Sequence, residues 1–336
     1  MPSIRGPHVR KSLGAAGPSV FPVALGCMGM SGMYGPSDEA ESIATIHAAL
    51  EAGVDMLDTG DFYGQGHNEM LIGRALRQWP GAKPLLSVKF GALRTPDGGW
   101  GGIDGRPAAV KNFAAYSLTR LGVDHIDVYR LSRLDPAVPI EDTIGAIADM
   151  VKAGYVRHIG LSEVGAATIR RAHAVHPICD LQIEYSLISR GPEEAIFPVL
   201  GELGIAVTAY GVLSRGLLTR SAPATSGSDF RAHMPRFTGD NLARNAVVVE
   251  KLEALAAEYS LTPAQLATAW VMAKGSNIIP VIGARRRTQL TESLGAIGVQ
   301  LTSGDLTRIE SAISPQAVAG TRYAAPQMAM LDSEKP

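Results

Sequence analysis

One arrangement recurs along this sequence: a stretch with helical apolar periodicity, then a glycine, then a short apolar strand. It reads EAG-VDMLD at 51–58, RLG-VDHIDVY at 120–129, KAG-YVRHIGLS at 152–162 and ELG-IAVTAY at 202–210. A glycine just past a helix end takes the left-handed conformation that closes the last turn. The strands that follow are mostly apolar, as parallel strands buried on both faces are. The pattern predicts repeated strand–helix units.

Four further strands complete the pattern: VALGC at 23–27, PLLSVKFG at 84–91, DLQIEYS at 180–186 and IIPVIGA at 278–284. Eight strands that alternate with helices, without an internal linker, predict a (β/α)8 TIM barrel. The alternative is a doubly wound sheet, which should carry G-x-G-x-x-G between its first strand and first helix. GCMGMSG at 26–32 has the wrong spacing and does not open a helix directly. We therefore predict that residues 1–336 form a single barrel domain.

Three segments fall outside the repeat. Residues 8–22 predict a small β-hairpin that caps the N-terminal end of the barrel. Residues 92–105 and 214–245 predict long loops after the third and seventh strands. Both loops would lie on the C-terminal face of the barrel, where active sites are built.

Composition excludes several classes of protein. The chain has 46% hydrophobic residues and a net charge of -1, which favours a large core and gives no electrostatic case for nucleic acid or an anionic membrane. Its two cysteines, Cys27 and Cys179, form neither a metal motif nor a disulfide framework. The N-terminus lacks the apolar region of a signal peptide, and no apolar run reaches the about 18–20 residues of a membrane span. We expect a cytoplasmic protein.

The segment LDTGDFYG at 57–64 places polar groups at the end of a predicted buried strand. Asp58 ends the second strand, Tyr63 lies in the loop after it, and Lys89 lies near the end of the third strand. Adjacent strands are about 4.8 Å apart, so the three side chains can converge. A buried ammonium needs a carboxylate partner, and it would lower the pKa of a nearby phenol. Such a tyrosine can donate a proton to a carbonyl oxygen that gains negative charge.

These segments resemble the aldo-keto reductases over nearly the whole chain. LDTGDFYG is similar to the D-T-A-x-x-Y-G segment of that family, and SVKFG to its strand-three lysine segment. GLSEV, QIEYS, AYGVLSRGLL and IIPVIGARRRTQLTESL resemble its cofactor-binding segments, in the same order. The resemblance implies a barrel that binds NADPH without a dinucleotide-binding fold and reduces a small-molecule aldehyde or ketone.

The resemblance also assigns catalytic positions. Asp58, Tyr63 and Lys89 match three members of the catalytic tetrad of the family. The fourth member is usually a histidine at the end of the fourth strand, and here YRLSRLDP at 129–136 places Ser132 in its position. A serine can donate one hydrogen bond but is about two atoms shorter than a histidine, and a water could bridge the gap. We expect slow turnover of unactivated ketones.

The implied cofactor contacts follow in the same way. Ser162 and Gln182 match residues that bind the nicotinamide carboxamide, although Glu163 replaces the usual asparagine. Tyr210 matches the residue that stacks on the nicotinamide ring. Arginines at a helix N-terminus oppose the helix dipole, so a 2′-phosphate explains Arg285 better than a solvated helix start does. The remaining matches are Gly211, Val212, Leu213, Gly216 and Leu217 along the pyrophosphate, and Gly283, Arg285, Gln289 and Ser293 at the adenosine-phosphate end, where Ser293 alters one adenine contact.

Arg130 admits two interpretations, as an arginine paired with a carboxylate in the core or as a substitute electrophile in the substrate pocket. Tyr34, Phe62 and Trp100 are expected to form an aromatic rim. Three functions fit these residues: an NADPH-dependent carbonyl reductase, an NADP(H)-binding sensor with little turnover, and an NADP-dependent alcohol or sugar dehydrogenase. No metal site is predicted, and the sequence does not indicate an oligomeric state.

Overall fold

The computed structural model describes residues 10–219 and 229–335. Eight of the strands in these ranges, all parallel, close into a barrel in the order β10-β11-β12-β3-β4-β5-β8-β9. The described strands are β1 (Lys11–Ser12), β2 (Ser19–Val20), β3 (Ala24–Gly26), β4 (Met56–Gly60), β5 (Leu85–Phe90), β6 (Ala92–Arg94), β7 (Trp100–Ile103), β8 (Ile126–Leu131), β9 (Val156–Ser162), β10 (Ile178–Glu184), β11 (Ala206–Tyr210) and β12 (Ile278–Gly283).

Helices surround the barrel. None of those in the described ranges combines the length and the apolar character that crossing a bilayer requires. They are α1 (Glu39–Glu51), α2 (His67–Gln78), α3 (Pro107–Leu121), α4 (Ile140–Ala153), α5 (Ala166–Val175), α6 (Pro192–Leu203), α7 (Gly239–Glu258), α8 (Pro263–Ala273), α9 (Arg287–Leu294), α10 (Ser303–Ala312) and α11 (Ala325–Met328).

The local signals in the sequence explain where helices begin and end. Thr262 caps α8 and forms a reciprocal capping box with Gln265. Asp38 accepts a hydrogen bond from the backbone N–H of Glu41 at the start of α1. Gly122 closes α3 with a φ of 70°. The predicted (β/α)8 TIM barrel is confirmed, and the doubly wound alternative is wrong.

The N-terminal hairpin closes the bottom of the barrel. Strands β1 and β2 pair antiparallel, and Leu13 and Val20 pack with residues from the beginnings of the barrel strands, such as Met56 and Val128. The predicted hairpin is confirmed, although positions 8 and 9 lie outside the described residues. The N-terminal end of the barrel is thus filled by apolar side chains, and the C-terminal face is available for polar groups.

The two long loops contain more structure than the sequence indicates. The long segment 92–105 follows the third barrel strand as predicted, and it contains the antiparallel pair β6 and β7, which the sequence does not indicate. In the described residues of the segment 214–245, short 3₁₀ turns alternate with extended residues, and α7 begins at Gly239. Positions 220–228 of this segment lie outside the described residues.

Candidate active site

Asp58 and Lys89 form a buried ion pair inside the barrel. Strands β4 and β5 are neighbours, and their register brings the two side chains to the same layer. The Nζ of Lys89 donates to Oδ1 of Asp58 over 2.6 Å, and both side chains are only 6% exposed. The pair therefore has the partners and the burial that the sequence predicts.

The second oxygen of Asp58 has three polar neighbours. Oδ2 accepts hydrogen bonds from the Ser87 hydroxyl at 2.9 Å and from Nε2 of Gln182 at 2.7 Å. The Nη1 of Arg130 lies 3.6 Å from the same oxygen. Gln182 is thus engaged with Asp58, rather than free to meet a ligand through this amide nitrogen.

Tyr63 lies above this pair. It begins a 3₁₀ turn, Tyr63–Gly66, two residues after the end of β4. A Cβ on Gly60 would lie 3.3 Å from the Tyr63 ring, so the ring packs closely on the strand end. The Lys89 Nζ lies 5.3 Å from the ring centroid. The carboxylate, the ammonium and the phenol do come together in the fold.

The expected lowering of the Tyr63 pKa is wrong for this structure. Burial raises the pKa of Tyr63 well above its usual value, and the negative charge of Asp58 raises it further. The ammonium of Lys89 is itself held by Asp58, so little of its positive charge is left to favour a phenolate. In this state the phenol of Tyr63 is a protonated donor.

Ser132 follows β8 directly and is 2% exposed. Its backbone N–H donates to the carbonyl of Phe90, which continues the strand pairing. Its hydroxyl has no hydrogen-bond partner among the described residues. Within the same ranges, no histidine forms a hydrogen bond or ion pair with Asp58, Tyr63 or Lys89.

Arg130 is fully buried and pairs with a core carboxylate. Its Nη2 lies 2.8 Å and 2.9 Å from the two oxygens of Asp180 on β10. Thr208 also donates to Asp180, over 2.5 Å. The first of the two interpretations of Arg130 is confirmed.

Ser162 and Glu163 lie at the end of β9. The Ser162 hydroxyl is buried and has no hydrogen-bond partner among the described residues. Glu163 adopts a left-handed conformation with φ 54° and is fully buried. It accepts hydrogen bonds from Arg322 at 2.6 and 2.8 Å and from the hydroxyl of Tyr210 at 2.7 Å. The carboxylate of Glu163 is therefore engaged in hydrogen bonds with other residues of the protein.

The structure contains a cluster of buried ion pairs around Glu163 that we did not predict from the sequence. Although burial opposes it, the guanidinium of Arg322 lowers the pKa of Glu163 to about 2. Arg215 pairs with Glu184 at 2.9 Å, and Arg236 lies 3.4 Å from the same carboxylate. Arg322 lies in the tail after α10, outside every strand–helix unit, so no periodic signal points to it.

The segment after β11 bends sharply. Gly211 has φ 68°, and a Cβ there would lie 3.0 Å from Cγ of Glu184, so the position requires glycine. Ser214 and Arg215 also have positive φ. Among the predicted pyrophosphate contacts, the side chains of Val212 and Leu217 are buried, whereas Leu213 and Gly216 are partly exposed.

The arginines before α9 border a cavity of about 350 Å³ lined by Pro36, Ser37, Asp38, Glu41, Arg285 and Arg286. The Nη1 of Arg285 donates to the carbonyl of Tyr34 at 2.7 Å, and its backbone N–H donates to Oε1 of Gln289 at 3.2 Å. Gly283 is exposed beside them, whereas Ser293 is 3% exposed on the inner side of α9.

The sequence profile of the Aldo/keto reductase family matches residues 22–314. The protein named "Probable aldo-keto reductase 1" in Glycine max is 41% identical over 319 residues, which cover 93% of this chain and 90% of that protein. Among solved structures, the glycerol dehydrogenase AKR11B4 from Gluconobacter oxydans has a TM-score of 0.81 and 28% identity, and the alignment covers 94% of this chain and 97% of that one.

The holo form of the aldo-keto reductase AKR11C1 from Bacillus halodurans is also similar, with a TM-score of 0.77 and 27% identity over 92% of this chain and 97% of that one. The family profile covers most of the chain, and the relatives agree with it in sequence and in fold. The chain belongs to the aldo/keto reductase family and is an oxidoreductase.

Proposed function

We propose that this protein is an NADPH-dependent carbonyl reductase in which Tyr63 donates the proton. The observation that carries this proposal is the buried Asp58–Lys89 pair directly beneath a protonated phenol. A carbonyl oxygen gains negative charge during reduction, and a positioned acid beside it accelerates the step by about 10²–10⁴-fold.

The residues present fit a nicotinamide dinucleotide. The buried Ser162 hydroxyl lacks a hydrogen-bond partner within the described ranges, as expected for a group that binds a carboxamide. The cavity beside Arg285 and Arg286 offers two guanidiniums that can bind a phosphate, and of the two carboxylates that also line it, Glu41 pairs with Arg287. We propose that Ser162, Gln182 and Tyr210 hold the nicotinamide, with the positions after β11 and before α9 at the phosphates: Gly211, Val212, Leu213, Gly216, Leu217, Gly283, Arg285, Gln289 and Ser293.

When NADPH is bound, it supplies a hydride to the carbonyl carbon. Tyr63 gives its proton to the carbonyl oxygen, so an alcohol forms and a phenolate remains until water reprotonates it. The positive charge of Lys89 stabilises that phenolate, and Asp58 holds the ammonium in place. Ser132 offers the substrate one neutral hydroxyl instead of an imidazole.

The test combines turnover with cofactor binding. We expect the wild-type protein to consume NADPH with a panel of activated aldehydes, and we expect Tyr63→Phe to lose turnover while NADPH still binds by fluorescence titration. A Phe variant that kept more than about a tenth of the wild-type kcat would assign proton donation to another residue. Binding of NADPH without turnover of any aldehyde by the wild-type protein would instead favour the sensor.

A second candidate function runs the same chemistry in reverse, as an NADP-dependent alcohol or sugar dehydrogenase. The similarity to a glycerol dehydrogenase favours it, since the same catalytic groups serve both directions. Assays with NADP⁺ and polyols test this direction separately. We also propose a cytoplasmic location, which suits the two free, buried thiols Cys27 and Cys179.

A further inference from the structure

Arg130 reaches across one strand of the barrel to find its partner. Strand β9 lies between β8, which carries Arg130, and β10, which carries Asp180. Gly160 on β9 makes this possible, because a Cβ there would lie 2.6 Å from Nε of Arg130 and 2.5 Å from Oδ1 of Asp180. The guanidinium therefore passes close to a glycine, in space that a side chain at this position would fill.

The other side of the guanidinium faces Asp58. Nη1 of Arg130 lies 3.6 Å from Oδ2 of Asp58, while Lys89 holds Oδ1 at 2.6 Å. Nε and Nη1 of Arg130 have no hydrogen-bond partner among the described residues, although the side chain is 0% exposed. A purely structural buried arginine would be expected to satisfy these donors. Asp58 is thus shared between two cations.

We propose that Arg130 is a positioning residue that offsets part of the charge of Asp58, so that Lys89 can stabilise the phenolate of Tyr63. This inference rests on the proposed function. Arg130 thereby adds positive charge beside Asp58 in the barrel interior. At the position where the family carries an imidazole, which can be charged or donate a hydrogen bond, this site has the neutral Ser132. The buried setting strengthens such contributions, since little solvent screens the charges.

The pKa directions agree with this geometry. Burial lowers the pKa of Lys89, Asp58 raises it, and Arg130 lowers it again. Asp58 is the charged group that most raises the pKa of Tyr63. The titratable and charged groups that face Tyr63 and Lys89 are Asp58 on β4, Arg130 on β8, Arg133 after β8, Cys27 and Tyr34 after β3, and Tyr323 in the C-terminal tail.

The first test removes the whole pair with Arg130→Leu/Asp180→Leu. Replacing both partners of a buried ion pair by apolar residues is often neutral for stability, whereas removing one leaves an unpaired charge. We expect kcat/KM for an activated aldehyde to fall about 3–10-fold at pH 7, and the alkaline limb of its pH profile to move up by about 0.5–1 unit. Both changes follow because the phenolate and the neutral lysine form less readily.

Two single variants sharpen the test. Arg130→Lys keeps the positive charge and should retain the wild-type pH profile. Asp180→Asn removes the counter-charge of Arg130 and should move the alkaline limb to lower pH, in the opposite direction to the pair deletion. The control is Arg170→Leu/Glu202→Leu, which removes an exposed ion pair between α5 and α6 and should leave the profile unchanged.

A structural role would change thermal stability but not the profile of the folded enzyme. The inference is overturned if the folded pair-deletion variant keeps the wild-type limb and rate, or, should that variant not fold, if Asp180→Asn leaves the alkaline limb at its wild-type position. Because the wild-type protein is assayed alongside, absence of any carbonyl turnover overturns the proposed function as well, whereas an active enzyme with an unshifted profile overturns this inference alone.

Discussion

Ser132 and Arg285 each carry polar atoms that a bound ligand could contact. Ser132 occupies the position where the family carries a histidine, and its buried hydroxyl lacks a partner among the described residues. The guanidinium of Arg285, for which we propose a phosphate contact, donates in this structure to the carbonyls of Tyr34 and Pro36. We therefore make one prediction for each position: a substrate contact for Ser132 and a cofactor contact for Arg285.

Ser132→Ala should lower kcat/KM for an activated aldehyde by about 2–10-fold, which corresponds to one neutral hydrogen bond of about 0.5–1.5 kcal/mol. An activated carbonyl needs little help in bearing negative charge, so the loss stays modest. The matched control is Thr268→Val, another buried hydroxyl without a partner among the described residues, on α8. Unchanged kinetics in Ser132→Ala would show that this hydroxyl does not meet the substrate.

Arg285→Ala should weaken NADPH binding by about 1.5–3 kcal/mol, the range for hydrogen bonds to charged groups. NADH binding should change little, because NADH lacks the 2′-phosphate. Fluorescence titration of both cofactors measures the difference. Arg287→Ala is the control, since Arg287 at the start of the same helix pairs with Glu41. Equal affinity of the wild-type protein for NADPH and NADH would contradict the assignment.

At the element scale, the buried carboxylate of Glu163 is one of the main contacts between the barrel and the tail after α10. Arg322 and Ser333 both donate to Glu163, and the backbone N–H of Ser333 donates to its carbonyl. Asp332 accepts a hydrogen bond from the backbone N–H of Gly165 at the start of α5. These contacts join the tail to the end of β9, beside Ser162, and we expect the charge of Glu163 to contribute to the order of the tail.

Arg322→Met should release the tail and lower the free energy of unfolding by about 3–5 kcal/mol, since it leaves the buried Glu163 without its main partner. Hydrogen exchange should become faster in residues 320–335 before it changes in the barrel. Arg308→Met, which removes an exposed pair with Glu258, should change stability by no more than about 1 kcal/mol. A tail that stays protected in Arg322→Met would rule out this anchor.

The pH dependence of that anchor has a defined sign. The pKa of Glu163 falls from 4.5 to about 2 on folding, so its stabilising contribution is present above pH 4.5 and is lost as pH falls toward 2. The stability difference between the wild-type protein and Arg322→Met should therefore shrink across this interval. Thermal unfolding at several acidic pH values measures it.

At the scale of the whole molecule, one buried carboxyl opposes stability at neutral pH. Burial raises the pKa of Asp61 to about 7, and the nearby Glu69 raises it further. A raised pKa means that the folded state prefers the neutral carboxyl. Its contribution to stability is therefore present below pH 3.8 and is lost as pH rises through 7.

Asp61→Asn should raise the free energy of unfolding by about 1–3 kcal/mol at pH 8 and change it little at pH 4, because the amide never ionises. Chemical denaturation at the two pH values measures the difference. Asp149→Asn, an exposed carboxyl on α4, should show no such dependence. An equal effect of Asp61→Asn at both pH values would mean that the carboxyl is not neutral in the folded protein.

Much of the fold could be predicted from local patterns. Helix-ending glycines and short apolar runs predict all eight barrel strands, because these signals depend only on neighbouring residues. The meeting of Asp58, Tyr63 and Lys89 could also be predicted, since parallel strands of a barrel end at one face. The catalytic and cofactor-binding roles of the site residues stay predictions. The organisation of the chain as a single domain also stays a prediction.

The sequence by itself determined the barrel and the residues that meet at its C-terminal face. Only the tertiary structure decided the ionisation of Tyr63, since burial is a property of everything packed around it. The pairs Arg130–Asp180 and Arg322–Glu163 join residues 50 and 159 positions apart. No periodic pattern in the sequence links such residues, because their charges attract each other only after the fold has brought them together. Arg130 and Asp180 meet beside Gly160, and Arg322 meets Glu163 where the C-terminal tail contacts the barrel.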